Sequence, residues 1–112
     1  MSQITTHILD TTKGKPAAGV TIALLQQAGD TWQEVARGVT NVDGRIADLL
    51  PKEKHLELGV YKMKFYTQEY FEQDGTANFY PFVEIVFNVA SNEHYHVPLL
   101  LNPFGYATYR GS

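Results

Sequence analysis

The clearest alternation of side-chain character in this chain is Val60-Tyr61-Lys62-Met63-Lys64-Phe65-Tyr66. In an extended strand, Tyr61, Met63 and Phe65 would lie on one side and the two lysines on the other. A period of two is typical of a β-strand with one face in a hydrophobic core and the other near solvent. The stretch therefore predicts a half-buried strand and indicates the fold class to test along the rest of the chain.

The same period recurs on both sides of this stretch, and the segments are separated by Gly, Pro, Asn and Asp. Ala28-Gly29-Asp30 is a turn signal, and Asp43-Gly44 predicts a hairpin because both residues tolerate positive φ. Seven or eight short strands with such punctuation indicate an all-β fold, an antiparallel β-sandwich. The predicted strands are Ile4–Asp10, Val20–Leu25, Trp32–Thr40, Val60–Tyr66, Val83–Val89, Tyr95–Leu101 and Tyr106–Arg110.

One segment does not follow the alternation. Residues 67–75 begin with a threonine suited to an N-cap, continue with good helix formers and end at Gly75. This order of residues predicts one short helix of about two turns.

Length and composition limit the classes of protein. A chain of 112 residues is expected to form a single domain over residues 1–112 with a hydrophobic core of its own. Cysteine is absent, which excludes disulfides and thiolate chemistry. A net charge of −3 argues against nucleic acid as a partner. No apolar run is long enough for a membrane span, and the polar start lacks the pattern of a secretory signal, so we expect a cytoplasmic protein.

The histidines are the first candidates for chemistry. His94 and His96 would share one face of a strand, a spacing that can bind a metal, although a third ligand such as His7 would be needed. Two alternatives stay open, a zinc site or ordinary hydrogen-bonded strand histidines. His55 lies in the charged stretch Pro51–His55, which is most simply a solvated loop.

The C-terminus is unusual because it stays aromatic and apolar almost to its end. Terminal residues are commonly small, polar and poorly held. Here Tyr106–Tyr109 leads into Arg110, Gly111 and Ser112. The tail is therefore expected to pack against the domain and to line a site.

Four motifs together resemble the 5-hydroxyisourate hydrolases, the enzyme branch of the transthyretin-like family. They are His7-Ile8-Leu9-Asp10, Asp43-Gly44-Arg45, the run from His94 to Leu101, and the terminal Tyr109-Arg110-Gly111-Ser112. The resemblance covers essentially the whole chain, and the terminal tetrapeptide is its most specific part. It implies a transthyretin-like (prealbumin-like) sandwich.

The resemblance also implies an activity, the hydrolysis of 5-hydroxyisourate to 2-oxo-4-hydroxy-4-carboxy-5-ureidoimidazoline in urate degradation. By motif, the implied catalytic residues are His7, Arg45, His96 and Tyr109, and the implied substrate-binding residues are His7, Arg45, Tyr109, Arg110 and Ser112. These types suit the reaction, because imidazole accepts a proton near neutral pH and a guanidinium stabilises a developing oxyanion. Neither a metal nor a cofactor is implied.

The family further implies a homotetramer, a dimer of dimers with its sites at the dimer–dimer interface. The apolar run Leu99-Leu100-Leu101 is compatible with that assembly, and equally with burial inside one chain. Two other functions remain as alternatives, a transthyretin-type small-molecule carrier without catalysis and an immunoglobulin-type interaction sandwich. The histidine, arginine and tail set favours the enzyme over both.

Overall fold

The computed structural model describes residues 2–112. Within that range the chain forms strands and a single short helix, numbered here in chain order. They are β1 (Ile4–Asp10), β2 (Lys15–Pro16), β3 (Thr21–Ala28), β4 (Thr31–Val39), β5 (Gly59–Phe65), α1 (Thr67–Glu72), β6 (Val83–Val89), β7 (Tyr95–Asn102) and β8 (Gly105–Thr108).

The strands form two four-stranded sheets, which confirms the predicted β-sandwich. One sheet has the order β2-β1-β7-β8 and the other the order β4-β3-β5-β6. All pairs are antiparallel except β1 with β7, which run parallel with Ile4 opposite Tyr95 and Asp10 opposite Leu101. The first and last thirds of the chain therefore meet in the centre of one sheet.

The hydrophobic core lies between the sheets and has the alternation predicted for the strands. On β5, the side chains of Tyr61, Met63 and Phe65 are at most 1% exposed, while the lysines between them are half-buried. On β1 and β7 the inward residues are buried in the same alternating way. Thr5, His7 and His96 are outward residues of β1 and β7 and are half-buried on the outer face of the first sheet, where Pro98 alone of the outward β7 residues is buried.

Strand β8 is shorter than predicted, because Tyr109 and Arg110 lie outside it. The register nevertheless continues past the break, since Leu99 lies opposite Thr108 and His96 forms an isolated bridge with Gly111. The residue opposite Tyr109 in that register is Pro98. Proline has no N–H to donate, so the ladder is interrupted beside it and resumes at Gly111.

The turn predicted at Asp43-Gly44 is present, but the predicted hairpin is not. Gly44 has a φ of +73° and donates its N–H to the Asn41 carbonyl at 2.9 Å. No strand pairs back with β4 after this turn in the part of the chain that the structure describes. The chain instead crosses to β1, where Arg45 forms an isolated bridge with His7.

The predicted helix is present over Thr67–Glu72 but begins and ends differently from the expectation. Tyr66, not Thr67, occupies the N-cap position, and no side chain caps the helix there. The Thr67 hydroxyl is buried without a hydrogen-bond partner. At the other end, Gly75 adopts a φ of +71° in the turn after the helix, where the Thr76 N–H donates to the Phe71 carbonyl at 3.0 Å. No helix within residues 2–112 is long and apolar enough to cross a membrane.

A buried carboxylate holds the end of β1 in place. Asp10 is 1% exposed and accepts hydrogen bonds from the Tyr70 hydroxyl at 2.8 Å and from the N–H groups of Thr12 and Lys13. Burial, together with the hydrogen bond to Asp10, raises the pKa of Tyr70. The site-bearing strand is thus tied to α1, and its outward face has a fixed position.

Candidate active site

The site begins with the parallel register of β1 and β7. Thr5 lies opposite His96, and His7 lies opposite Pro98. Since side chains alternate across a strand, Thr5 and His7 project from the same face of β1. The pairing therefore places a histidine of β7 beside a threonine and a histidine of β1, although about ninety residues separate them in sequence.

The loop after β4 brings the arginine to this face. The Asn41 side-chain oxygen accepts the N–H groups of Asp43 at 2.9 Å and Arg45 at 3.2 Å, an Asx-type turn that fixes the loop. The Gly44 carbonyl then accepts the Ile8 N–H at 2.9 Å. A Cβ atom on Gly44 would lie 2.5 Å from the Ile8 carbonyl oxygen, so only glycine allows the loop to approach β1 this closely.

The C-terminal tail forms the remaining side of the site. The Gly111 N–H donates to the His96 carbonyl at 2.9 Å, which holds the last residues along the edge of β7. A Cβ atom on Gly111 would collide with Cδ2 of the His96 ring. Glycine at this position therefore lets the tail pack directly against the imidazole.

These elements surround a polar cleft of about 510 Å³, which lies on the outer face of the first sheet and is open to solvent. Its lining consists of Thr5, His7, Arg45, His94, His96, Tyr109, Gly111 and Ser112. The cleft thus combines three imidazoles, a guanidinium, a phenol and two hydroxyls.

Thr5 connects two of the imidazoles. Its Oγ1 atom lies 2.8 Å from Nε2 of His94 and 2.7 Å from Nδ1 of His96, both within hydrogen-bond distance. The two rings are stacked, with their centroids 6.3 Å apart. Thr5 therefore contacts the His96 ring at Nδ1, and Nε2 lies on the opposite side of the ring.

The surroundings of His7 and His96 favour their neutral forms. Burial is the main cause that lowers the pKa of His96 below its ordinary value of 6.5, and the charges of Arg45, His94 and His7 lower it further. Burial and then Arg45 lower the pKa of His7, while Asp43 opposes this shift. Both rings can therefore accept a proton at neutral pH, as a general base must.

Most of the residues predicted from sequence meet in this cleft, and one does not. His7, Arg45, His96, Tyr109 and Ser112 all line it. Arg110 turns away, with Nη2 2.5 Å from a carboxylate oxygen of Glu93 and its guanidinium carbon 4.6 Å from the centre of the Tyr95 ring. It lines an adjacent groove formed by β6, β7 and the tail, which shares His96 and Tyr109 with the cleft. His55 is exposed and lies outside the polar cleft.

The grouping of the histidines bears on the zinc alternative. Among residues 2–112, no three or more histidine and carboxylate side chains are grouped so that they could hold a metal ion. His94 and His96 are close, but they share the Thr5 hydroxyl. The third ligand that the zinc alternative requires is not supplied by this arrangement.

Sequence reasoning missed Thr5, and it considered His94 as a metal ligand or as an ordinary hydrogen-bonded strand histidine, of which the second agrees with its contact to Thr5. A signal was available, because Thr5 and His7 are two residues apart on one predicted strand and so share its outward face. What the sequence could not provide was the partner strand and its register.

Comparison with known proteins gives consistent matches over almost the whole chain. The family model described as HIUase/Transthyretin family matches residues 4–111. A 5-hydroxyisourate hydrolase of Mus musculus is 43% identical over 114 residues, covering 99% of this chain and 96% of the mouse protein.

Solved structures show the same fold. The 5-hydroxyisourate hydrolase of Klebsiella pneumoniae superposes with a TM-score of 0.85 at 36% identity, covering 97% of this chain and 92% of the other. Transthyretin from Sparus aurata superposes with a TM-score of 0.90 at 34% identity, covering 97% and 96%. The fold is therefore shared with an enzyme and with transthyretin, so the fold alone does not distinguish the two.

Proposed function

The chain belongs to the HIUase/transthyretin family, and from that membership we propose that its polar cleft hydrolyses 5-hydroxyisourate. The product is 2-oxo-4-hydroxy-4-carboxy-5-ureidoimidazoline, a step of urate degradation. The observation that carries the proposal is the meeting of His7, Arg45 and His96 in one cleft with Tyr109 and Ser112. Identity of 43% to a hydrolase over nearly the full length supports it.

The reaction uses these groups in a defined order. A neutral imidazole, His96 or His7, accepts a proton from water as the oxygen adds to a ring carbonyl carbon. The Arg45 guanidinium stabilises the oxyanion that forms on the carbonyl oxygen. The C–N bond of the ring then breaks, and the departing nitrogen takes a proton from the imidazolium. Tyr109 and Ser112 orient the substrate at the open end of the cleft.

The carrier alternative is less well supported by the site. A carrier for an apolar ligand has no use for three imidazoles and a guanidinium facing one another, because each has to be desolvated when the ligand binds. The polar lining therefore favours catalysis. Arg110 belongs to the predicted substrate-binding set, and its contacts with Glu93 and Tyr95 instead favour a role in anchoring the tail.

Assembly is proposed on the same basis. Around the cleft, the outer face of the first sheet carries apolar side chains, including half-buried Leu9 and Leu100 and exposed Ala107. Such a face next to a polar cleft suits the homotetramer, a dimer of dimers with its cleft at the dimer–dimer interface. One domain over residues 1–112 is proposed as well, because the family match spans residues 4–111. The cytoplasmic location stays a prediction.

The test is a spectrophotometric assay in which urate and urate oxidase generate the substrate and its ultraviolet decay is measured. We expect the purified protein to accelerate the decay without added metal or nucleotide, and a chelator to leave the rate unchanged. Activity that is lost with chelator and restored by zinc would contradict the metal-independent mechanism and favour a His94/His96 metal site.

The lowered pKa values of His7 and His96 predict the pH dependence of the reaction. A base whose pKa lies below 6.5 stays neutral at pH 7, so kcat/KM should be level from pH 7 upward and fall only below pH 6.5. The unfolded chain binds these protons at higher pH than the folded one, so the free energy of unfolding should decrease as the pH falls through the same range. A kcat/KM that already falls between pH 8 and pH 7 would argue against His7 and His96 as the bases.

A further inference from the structure

The Thr5 hydroxyl stands between two imidazoles and has only one proton to give. It can donate to one ring nitrogen and must accept from the other, because each neutral imidazole has one donor and one acceptor nitrogen. Two proton arrangements are therefore possible along the chain formed by His94 Nε2, Thr5 Oγ1 and His96 Nδ1.

The two arrangements differ at the nitrogen of His96 on the far side of the ring from Thr5. If Thr5 donates to His94, then His96 carries its proton on Nδ1, donates it to Thr5 and has an unprotonated Nε2. If His94 donates to Thr5 and Thr5 donates to His96, then Nε2 of His96 carries the proton and cannot accept another. Only the first arrangement makes His96 a base.

The charge in the cleft favours the first arrangement. Arg45 lines the same cleft and its positive charge acts on His96. Because Thr5 occupies Nδ1, Nε2 is the ring nitrogen left to respond to this charge, and a positive charge favours a lone pair there over an N–H dipole. The other side chains that line the cleft with His96 are those of Thr5, His7, His94, Tyr109 and Ser112. None of them is a carboxylate side chain that would reverse this preference.

We propose that Thr5 is a positioning residue for the hydrolysis: with His94 as its acceptor, its hydroxyl keeps the His96 proton on Nδ1 and leaves Nε2 free as the base. The proposal rests on the proposed function.

The test uses Thr5→Val, which removes the hydroxyl and keeps a β-branched side chain suited to a strand, and Thr5→Ser, which keeps the hydroxyl. Long-range ¹H–¹⁵N spectra at pH 8 report which ring nitrogen carries the proton. With four histidines in the chain, the signals of His96 can be assigned from a His96→Gln spectrum. We expect Nδ1–H in the unmodified protein and in Thr5→Ser, and Nε2–H in Thr5→Val.

The same variants are compared in the decay assay. Partners that orient a metal-bound imidazole typically contribute about 10–100-fold; on that scale, Thr5→Val should lower kcat/KM by about the same factor, and Thr5→Ser should restore most of it. His94→Phe keeps a ring at an exposed position but removes the acceptor of Thr5. The His94→Phe variant should move the His96 proton toward Nε2, and it tests the proposed role of Thr5 by itself if Thr5→Val does not fold.

Three results would overturn the proposal. They are a His96 proton already on Nε2 in the unmodified protein, a proton that stays on Nδ1 in both Thr5→Val and His94→Phe, and equal losses of activity in Thr5→Ser and Thr5→Val. An unmodified protein that does not accelerate the decay would instead overturn the proposed function. In that case the ring-proton spectra would still show whether the Thr5 hydroxyl sets the position of the His96 proton.

Discussion

Alanine in place of His96, His7 or Arg45 is expected to lower kcat/KM by about 10²–10⁴-fold, the range typical of general acid–base groups. His96 and His7 are the proposed bases, and Arg45 is the guanidinium that lines the cleft with them. The loss should appear mainly in kcat, since the oxyanion and the transferred proton exist only in the transition state. The decay assay at saturating and subsaturating substrate measures both parameters.

The fold should survive these changes, because His7 and His96 are only half-buried and Arg45 is exposed. Circular dichroism and thermal melting check this point. His55→Ala is the matched control, since it removes an exposed imidazole that lies outside the cleft. Equal losses of activity for His55→Ala and His7→Ala would mean that the site has been placed wrongly.

Removal of Tyr109–Ser112 is expected to abolish measurable activity while the β-sandwich still folds. The tail is held by one backbone hydrogen bond from Gly111 to His96 and by the exposed pair of Arg110 with Glu93. The hydrogen bond contributes about 0.5–1.5 kcal/mol, and a fully exposed ion pair adds little, so both are small beside the stability of a domain. The site, in contrast, loses Tyr109 and Ser112 and the packing of the tail against the His96 ring.

Two point variants separate the functions within the tail. Gly111→Ala should lower activity although it deletes no group, because its Cβ would collide with the His96 ring and displace it. Arg110→Ala should have a smaller effect, since that side chain contacts Glu93 and Tyr95 outside the cleft. Light scattering and thermal melting on each variant distinguish loss of assembly or stability from loss of catalysis. Full activity in a folded protein without Tyr109–Ser112 would overturn the proposed role of the tail.

The sequence by itself determined the class of fold and the elements that carry it. Alternation predicted β5 and the buried face of β7 because whether a strand residue faces core or solvent is a local property of its side chain. The resemblance in the motifs led to the family, and the chain does belong to it. The same motifs designate His7, Arg45, His96 and Tyr109 as site residues, and the structure brings all four to one cleft.

Local signals failed where the outcome depended on a partner strand. Asp43-Gly44 predicted a hairpin, but the turn leads Arg45 to β1, because the Gly44 carbonyl is within hydrogen-bond reach of Ile8 there. Similarly, nothing within residues 106–110 indicated that β8 would stop at Thr108. The cause is Pro98, which lies on the neighbouring strand and has no N–H for the ladder.

Only the tertiary structure decided how the site residues face one another. The parallel pairing of β1 with β7 sets Thr5 beside His96 and places its hydroxyl between two imidazoles. Tertiary contacts also turn Arg110 toward Glu93 and away from the cleft. The physical reason is that the register of two strands about ninety residues apart depends on packing both sheets around one core, and no pattern within either strand records that choice.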